Sequence, residues 1–383
     1  MAIVKFGDIV RDVKINVDRA NNPYEHYVAG DHMDSEDLTI HRYGSFETDD
    51  VGPAFTRIFK PGQILYGSRR TYLKKVAVAD FEGICANTTF VLESKDEALF
   101  DNRLLPFIML SDAFTRWSIA HSKGSTNPYV LFSDLADYEF DLPPIAEQKV
   151  LADKLWAAYR LKESYKKLLA ATEEMVKSQF IEMFGNPLSQ VQRYPLEKLG
   201  DCCELNPRRP STSLSDTDMV SFVPMPCVSE NGYLQDVAEE EYGKVKKGFT
   251  YFENNDVLFA KITPCMENGK GAIAQELTNG IGVGSTEFHV LRPVEGKSNS
   301  YWLLALTRMP IFREQASKNM SGTGGQKRVG ASFLDNFMVG LPPIEEQNRF
   351  ERIYRQADKS GFELRKSIEA IDQVIKSLIN DIK

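Results

Sequence analysis

Cysteine is scarce in this sequence and does not cluster. The five cysteines stand at 85, 202, 203, 227 and 265 without a Cys-x-x-Cys spacing. That excludes a disulfide framework and a zinc pattern, and a reducing, cytoplasmic setting is expected. Long apolar runs are missing as well; each is short and broken by charge, so no membrane-spanning helix is expected. The N-terminus, Met1-Ala2-Ile3-Val4-Lys5-Phe6-Gly7-Asp8, lacks the basic-then-apolar order of a secretion signal.

Catalytic motifs are lacking too. Asn127-Pro128-Tyr129 wants the second proline of the Asn-Pro-Pro-Tyr turn that aims an asparagine at an exocyclic amine. Gly282-Val283-Gly284 has no third glycine at dinucleotide spacing, and Gly322–Lys327 has neither the Walker spacing nor the following Ser or Thr. The histidines at 26, 32, 41, 121 and 289 form no ligand cluster in sequence, and Asp256 with Lys261 is a pairing that chance supplies often. Neither a catalytic nor a metal site is expected in this chain.

An excess of positive charge is also absent. The net charge of −8 by itself argues against a polyanion partner. Its distribution is uneven, however. The stretch Arg57–Val78 holds Arg57, Lys60, Arg69, Arg70, Lys74 and Lys75 with no acid. Arg308–Gly330 holds Arg308, Arg313, Lys318, Lys327 and Arg328 against Glu314 alone, while acids gather at Asp31–Asp50 and Asp236–Glu241. A basic working face with an acidic back reconciles the total with a nucleic acid.

What is present is a repeat. Leu142-Pro143-Pro144-Ile145-Ala146-Glu147-Gln148 returns as Leu341-Pro342-Pro343-Ile344-Glu345-Glu346-Gln347, an offset of 199 that also carries Ser133 onto Ser332. Earlier in each half the offset is 193, as for Phe6-Gly7-Asp8 against Leu199-Gly200-Asp201 and Ile64-Leu65-Tyr66 against Val257-Leu258-Phe259. Six extra residues are therefore expected in the second copy between Phe259 and Gly282. With 383 residues, two or three domains are expected. The repeat divides the chain into globular regions 1–141 and 186–340 and helices 142–185 and 341–383.

The helices follow from local chemistry. Prolines just before and at the first turn cost no hydrogen bond, and Glu147 and Glu346 suit the positive end of the dipole. No Pro or Gly interrupts Ile145–Phe184, and Gly185-Asn186-Pro187 ends it. Such a helix is about 60 Å long. Both carry a seam at 3–4 spacing. The first comprises Leu151, Leu155, Ala158, Lys162, Tyr165, Leu169, Thr172, Val176, Gln179 and Met183. The second comprises Phe350, Tyr354, Ala357, Gly361, Leu364, Ile368, Ile371, Ile375, Leu378 and Ile382. The first is too polar to stand alone and the second too apolar, so the two are expected to pack on each other.

The globular copies carry short β-rich runs, Val76–Ala79, Thr89–Leu92 and Phe288–Leu291, and a helix is expected near Leu104–Ile119 and again near Tyr301–Lys318. The fold class is α+β with an internal pseudo-two-fold repeat. Late in each copy comes a glycine-bearing polar loop. The first offers Lys123, Ser125, Thr126, Asn127 and Tyr129; the second offers Thr323, Gly324, Gly325, Gln326, Lys327 and Arg328. Glycine permits close backbone approach, Asn and Gln pair with adenine edges, and Arg and Lys with guanine or phosphate. Arg69, Arg70, Lys74, Lys75, Lys261 and Lys270 are candidates for phosphate contacts.

Two divergent globular regions, each followed by Leu-Pro-Pro-Ile-x-Glu-Gln and a long helix, resemble the specificity subunit of type I restriction-modification systems, and the Gly-Gly-Gln-Lys-Arg loop of the second copy is similar to that family too. The first copy departs there with Gly-Ser-Thr-Asn-Pro-Tyr. The resemblance implies two target recognition domains that read the halves of a bipartite double-stranded DNA site. It implies that the helices form an antiparallel coiled coil that spaces them and docks two methyltransferase subunits. S-adenosylmethionine belongs to those subunits, and ATP and Mg to a restriction subunit, in a cytoplasmic phage-defence complex. Three other readings are the reader of a related modification or defence system with a different effector, a coiled-coil adaptor that reads no DNA, and a fused methyltransferase or nuclease.

Overall fold

The computed structural model describes residues 2–18, 21–187, 189, 193–211, 213–323 and 325–380. They form two compact units, Met1–Lys167 with Arg365–Lys383, and Leu168–Leu364. Each unit contains one globular copy together with parts of both long helices.

In the first unit a four-stranded sheet runs in the order Val10–Asp12, Thr89–Ser94, Ile64–Gly67, Val76–Val78. A second sheet runs Gly44–Ser45, His26–Val28, Gly83–Ala86, Phe55–Phe59. Side chains alternate across a strand, and the clusters record this. Leu65, Ala77 and Val91 join Val28, Phe59 and Cys85 in one cluster. Ile64, Tyr66, Phe90 and Leu92 join the helical residues Leu105, Phe107, Ile108 and Phe114 in another. The first sheet is thus buried on both faces, which explains why its strands read as unbroken apolar runs.

The second unit repeats this plan with Cys203–Leu205, Phe288–Pro293, Val257–Ala260 and Gly271–Ile273 in one sheet, and Ala238–Glu241, Met219–Val223, Ile281–Gly284 and Thr250–Glu253 in the other. The offsets survive at residue level. Phe59 pairs with Gly83 and Phe252 with Gly282. In both copies a Cβ on the glycine would strike that phenylalanine ring. Register also locates the insertion within the expected interval. Ile64 pairs with Val78 where Val257 pairs with Ile273. Two of the six extra residues therefore precede Gly271–Ile273, and four lie between it and Ile281–Gly284.

Each expected mid-domain helix is broken in two. Leu105–Leu110 and Asp112–Ala120 part at Ser111, whose hydroxyl accepts from Phe114 N–H at 3.1 Å. Ser300–Arg308 and Pro310–Lys318 part at Met309, because Pro310 disfavours helical geometry in the residue before it. Both signals, a serine cap and a proline, are visible in the sequence.

The long helices span Ile145–Phe184 and Ile344–Asn380. Gly185, at φ 82°, closes the first by donating its N–H to Ile181 O at 2.8 Å. In the first unit Leu155 and Tyr159 share a cluster with Ile375 and Ile379, and Lys162 Nζ lies 2.6 Å from Asp372 Oδ1. In the second, Phe180 and Phe184 stack edge-on against Phe350. Early first helix against late second, and late against early, is an antiparallel coiled coil. No described seam residue is exposed; Ile382 lies outside the described residues.

The Leu-Pro-Pro-Ile-x-Glu-Gln motif fastens each helix to its globular copy. Gln148 is 1% exposed; its Oε1 accepts from Asp101 N–H (2.9 Å) and its Nε2 donates to Leu99 O (3.0 Å) and Pro143 O (2.8 Å). Gln347, fully buried, repeats this with Asn299 N–H, Lys297 O and Pro342 O at 3.0, 2.7 and 2.9 Å. A buried amide is stable only when its donors and acceptor are met, and both are.

Candidate nucleic-acid interface

The two polar loops sit at matching places because the same hydrogen bonds build both. In the first unit the strand Ile64–Gly67 continues into Ser68, Arg69 and Arg70. Val130 N–H donates to Ser68 O (3.0 Å), Arg70 N–H donates to Pro128 O (2.7 Å), and Arg69 bridges Tyr129. In the second unit Val257–Ala260 continues into Lys261, Ile262 and Thr263. There Val329 N–H donates to Lys261 O (2.9 Å), Thr263 N–H donates to Lys327 O (3.0 Å), and Ile262 bridges Arg328. Each pair maps on its counterpart by 193 on one side and 199 on the other.

The tips differ. Lys123 and Tyr129 close the first loop through reciprocal bonds of 2.7 and 2.9 Å, and Ser321 with Arg328 closes the second. The second loop is one residue longer. Gly322, at φ 134°, cannot be replaced cheaply, since a Cβ there would come 2.5 Å from Gln326 O. Ser125, Thr126 and Asn127 are exposed in the first loop, and Thr323, Gly325, Gln326 and Lys327 in the second; Gly324 lies outside the described residues. Tyr129 is 40% exposed.

Not every expected cation is free to meet a ligand. Arg69 and Arg70 are exposed, and Arg70 Nε donates to Asn127 Oδ1 at 3.3 Å. Lys123 lies 3.0 Å from Asp134. Lys74 is 17% exposed and pairs with Glu36 at 2.9 Å and Asp112 at 3.4 Å, while Lys75 Nζ donates to Gly30 O. The last two ammoniums are already engaged in the fold, with partners distant in sequence. Lys261 and Lys270 are half-buried and flank the end of Val257–Ala260, where Ala260 N–H donates to Lys270 O at 3.2 Å.

Arg328 is gripped by Glu287, which spacing alone did not bring to notice. Arg328 Nε lies 3.1 and 2.9 Å from Glu287 Oε1 and Oε2, and Nη2 lies 2.8 Å from Oε1. The guanidinium holds the Glu287 carboxyl below its usual range. Beneath the loop His289 Nε2 donates to Val329 O at 2.9 Å, and burial lowers its pKa, so it stays neutral as a donor there.

One histidine lies among acids that the sequence did not bring together with it. His41 comes together with Asp37 and Glu163, which lie far apart in sequence. An ammonium already fills the place between the carboxylates: Lys166 Nζ is 3.0 Å from Asp37 Oδ2 and 2.9 Å from Glu163 Oε1. The group is an ionic tie between the 37–41 segment and the first long helix.

Sequence reasoning also missed an outward stripe on that helix. Ala157, Leu161, Ser164, Leu168, Ala171, Met175 and Ser178 alternate at spacings of four and three and are all exposed, Leu161, Leu168 and Met175 at 45, 52 and 42%. The signal was in the sequence, overshadowed by the buried seam beside it.

A model of the type I restriction modification DNA specificity domain matches residues 24–173 and again 196–373. The specificity subunit of the Escherichia coli type I restriction enzyme EcoEI is 36% identical over 188 residues, 47% of this chain and 31% of that protein. That of EcoAI is 34% identical over 236 residues, 57% of this chain and 39% of that protein. The chain thus spans less than half the length of these relatives. In fold it is similar to the type I restriction-modification S subunit from M. genitalium, with a TM-score of 0.58, 12% identity and coverage of 99% of this chain and 94% of that one. It is also similar to a chain solved in work on complex assembly and conformational transition of the type I R-M system, with a TM-score of 0.52, 18% identity and coverage of 99 and 96%.

Proposed function

The chain belongs to the family of type I restriction-modification DNA specificity domains, and from that premise we propose that it reads a bipartite DNA site as the specificity subunit of a modification and restriction complex. The observation that carries this reading is the pair of loops built by equivalent backbone bonds but tipped with different side chains. A common scaffold with divergent polar tips suits recognition of two different base sequences. Asn127 and Tyr129 serve one half-site, and Gln326, Lys327 and Arg328 the other. Arg69, Arg70, Lys261 and Lys270 contribute phosphate contacts that set register.

The exposed Leu161–Leu168–Met175 stripe of the first long helix gives methyltransferase subunits an apolar seat. The chain itself contributes no chemistry. S-adenosylmethionine serves the methyltransferase subunits, and ATP and Mg a restriction subunit where one is present.

The test is co-expression with type I modification subunits, followed by mapping of methylated adenines. One split motif with a constant gap is the expected result. A complex that assembles but methylates no defined sequence would favour the adaptor reading, and methyl transfer by the purified chain alone would overturn the non-catalytic role.

A further inference from the structure

Arginine presents two edges able to make paired hydrogen bonds, Nε with Nη2 and Nη1 with Nη2. Glu287 occupies the first edge of Arg328 through three contacts of 2.8–3.1 Å. Among the described residues nothing bonds the second edge, the Arg328 side chain is 41% exposed, and it stands in the pair that closes the recognition loop. We infer that Arg328 reads a guanine in the half-site of the second unit and that Glu287 is the positioning residue that aims it. This deepens the DNA-reading role proposed above and rests on it.

Three physical points favour a base over a phosphate. Guanine O6 and N7 are two acceptors side by side on the major-groove edge, matched to two parallel N–H groups. A free arginine loses about 2 kcal/mol of rotamer freedom when fixed, and the carboxylate has already fixed this one. Finally, the ion pair is electrically neutral as a unit. A phosphate would gain little from it and would be repelled by Glu287, whereas a base edge without net charge is repelled far less by that carboxylate.

The first unit lacks the device. Ser68 N–H donates to Thr88 O where Lys261 N–H donates to Glu287 O, so Thr88 stands in the place of Glu287, and Tyr129 in that of Arg328. The reader is confined to one copy.

The experiment uses the full chain assembled with its modification subunits, on the site defined by methylation mapping. Each guanine of the site is replaced in turn by 7-deazaguanine, which removes N7 and leaves base pairing intact. The expected result is one guanine, in one half-site only, whose replacement weakens binding about 10- to 100-fold. Arg328→Ala should abolish preference at that same position and make the 7-deaza substitution silent there. Arg328→Lys should not restore it. Glu287→Gln should lose discrimination at that position while binding unrelated DNA as well or better, an effect that a merely structural role would not produce. If Arg328→Ala fails to fold, the 7-deazaguanine series on the unaltered protein still decides. Tolerance of 7-deazaguanine at every position, or an Arg328→Ala loss equal across all sequences, would overturn this inference while leaving the specificity role intact. A complex that selects no site would instead overturn the role itself.

Discussion

Asp37 shows how a single side chain ties the first globular copy to its helix. It accepts from Tyr159 Oη at 2.6 Å, Thr39 N–H at 2.9 Å and Lys166 Nζ at 3.0 Å. Burial alone would raise its pKa, but these donors outweigh burial and hold it at about 2. The folded value lies below the unfolded value of about 3.9. Ionised Asp37 therefore stabilises the fold fully above roughly pH 4, and that contribution falls away as pH drops through about 2. The difference is worth about 2 kcal/mol, with roughly half remaining near pH 3. Asp37→Asn should lower stability toward guanidinium by about 2 kcal/mol at pH 7 and by markedly less at pH 3. An equal gap at both pH values would show that ionisation is not the cause. None of this was legible in the sequence, because Tyr159 and Lys166 lie more than 120 residues from Asp37. The partners of Lys74, Lys75 and Arg328 escaped notice for the same reason: a residue's charge can be read from sequence, but its partner cannot. Gln148 and Gln347 were legible as a repeated motif, whereas their task of satisfying loop backbone needed coordinates.

At the scale of elements, periodicity served well where one physical signal dominated. Both long helices begin where proline and glutamate place them, and the first ends at its glycine. The seam was read too narrowly. Ala152, Tyr159, Phe180, Phe184 and Ile379 are also buried, because each helix meets both its partner and its own globular copy and so needs a wider apolar face than a two-helix seam. Lys162, which looked like a flaw, is answered by Asp372 across the pair and is 11% exposed. Replacing Asp372 with Ala leaves that ammonium without its partner and should cost roughly 1–3 kcal/mol, whereas Lys162→Met leaves unpaired only the Asp372 carboxylate, 36% exposed to water, and should cost less. Ile375→Asp puts a charge into a packed cluster and should cost several kcal/mol more. Denaturant midpoints check all three. If Ile375→Asp and Asp372→Ala both melt like the parent, the helices do not bury each other in the way described.

For the whole molecule, the net charge of −8 and the proposed DNA partner are reconciled by where the charge lies. Arg69 and Arg70 in one unit and Lys327 in the other are exposed beside polar loop tips, so attraction to phosphate is local and must survive a repulsive average. Affinity should therefore fall steeply with salt, and each phosphate-contacting residue removed should flatten the log–log slope by about 0.9. The two copies form distinct apolar clusters, and the described bonds of each loop lie within its own copy. Substitutions in one loop should then be independent of those in the other, since sites without shared partners contribute additively to within about 0.5 kcal/mol. Asn127→Ala should weaken recognition of one half-site and Gln326→Ala that of the other. The double variant should lose the sum of the two losses when binding is measured at fixed salt on DNA altered in one half at a time. Loss of both half-sites from either single change would mean that the loops act jointly, and that reading is not divided between the copies.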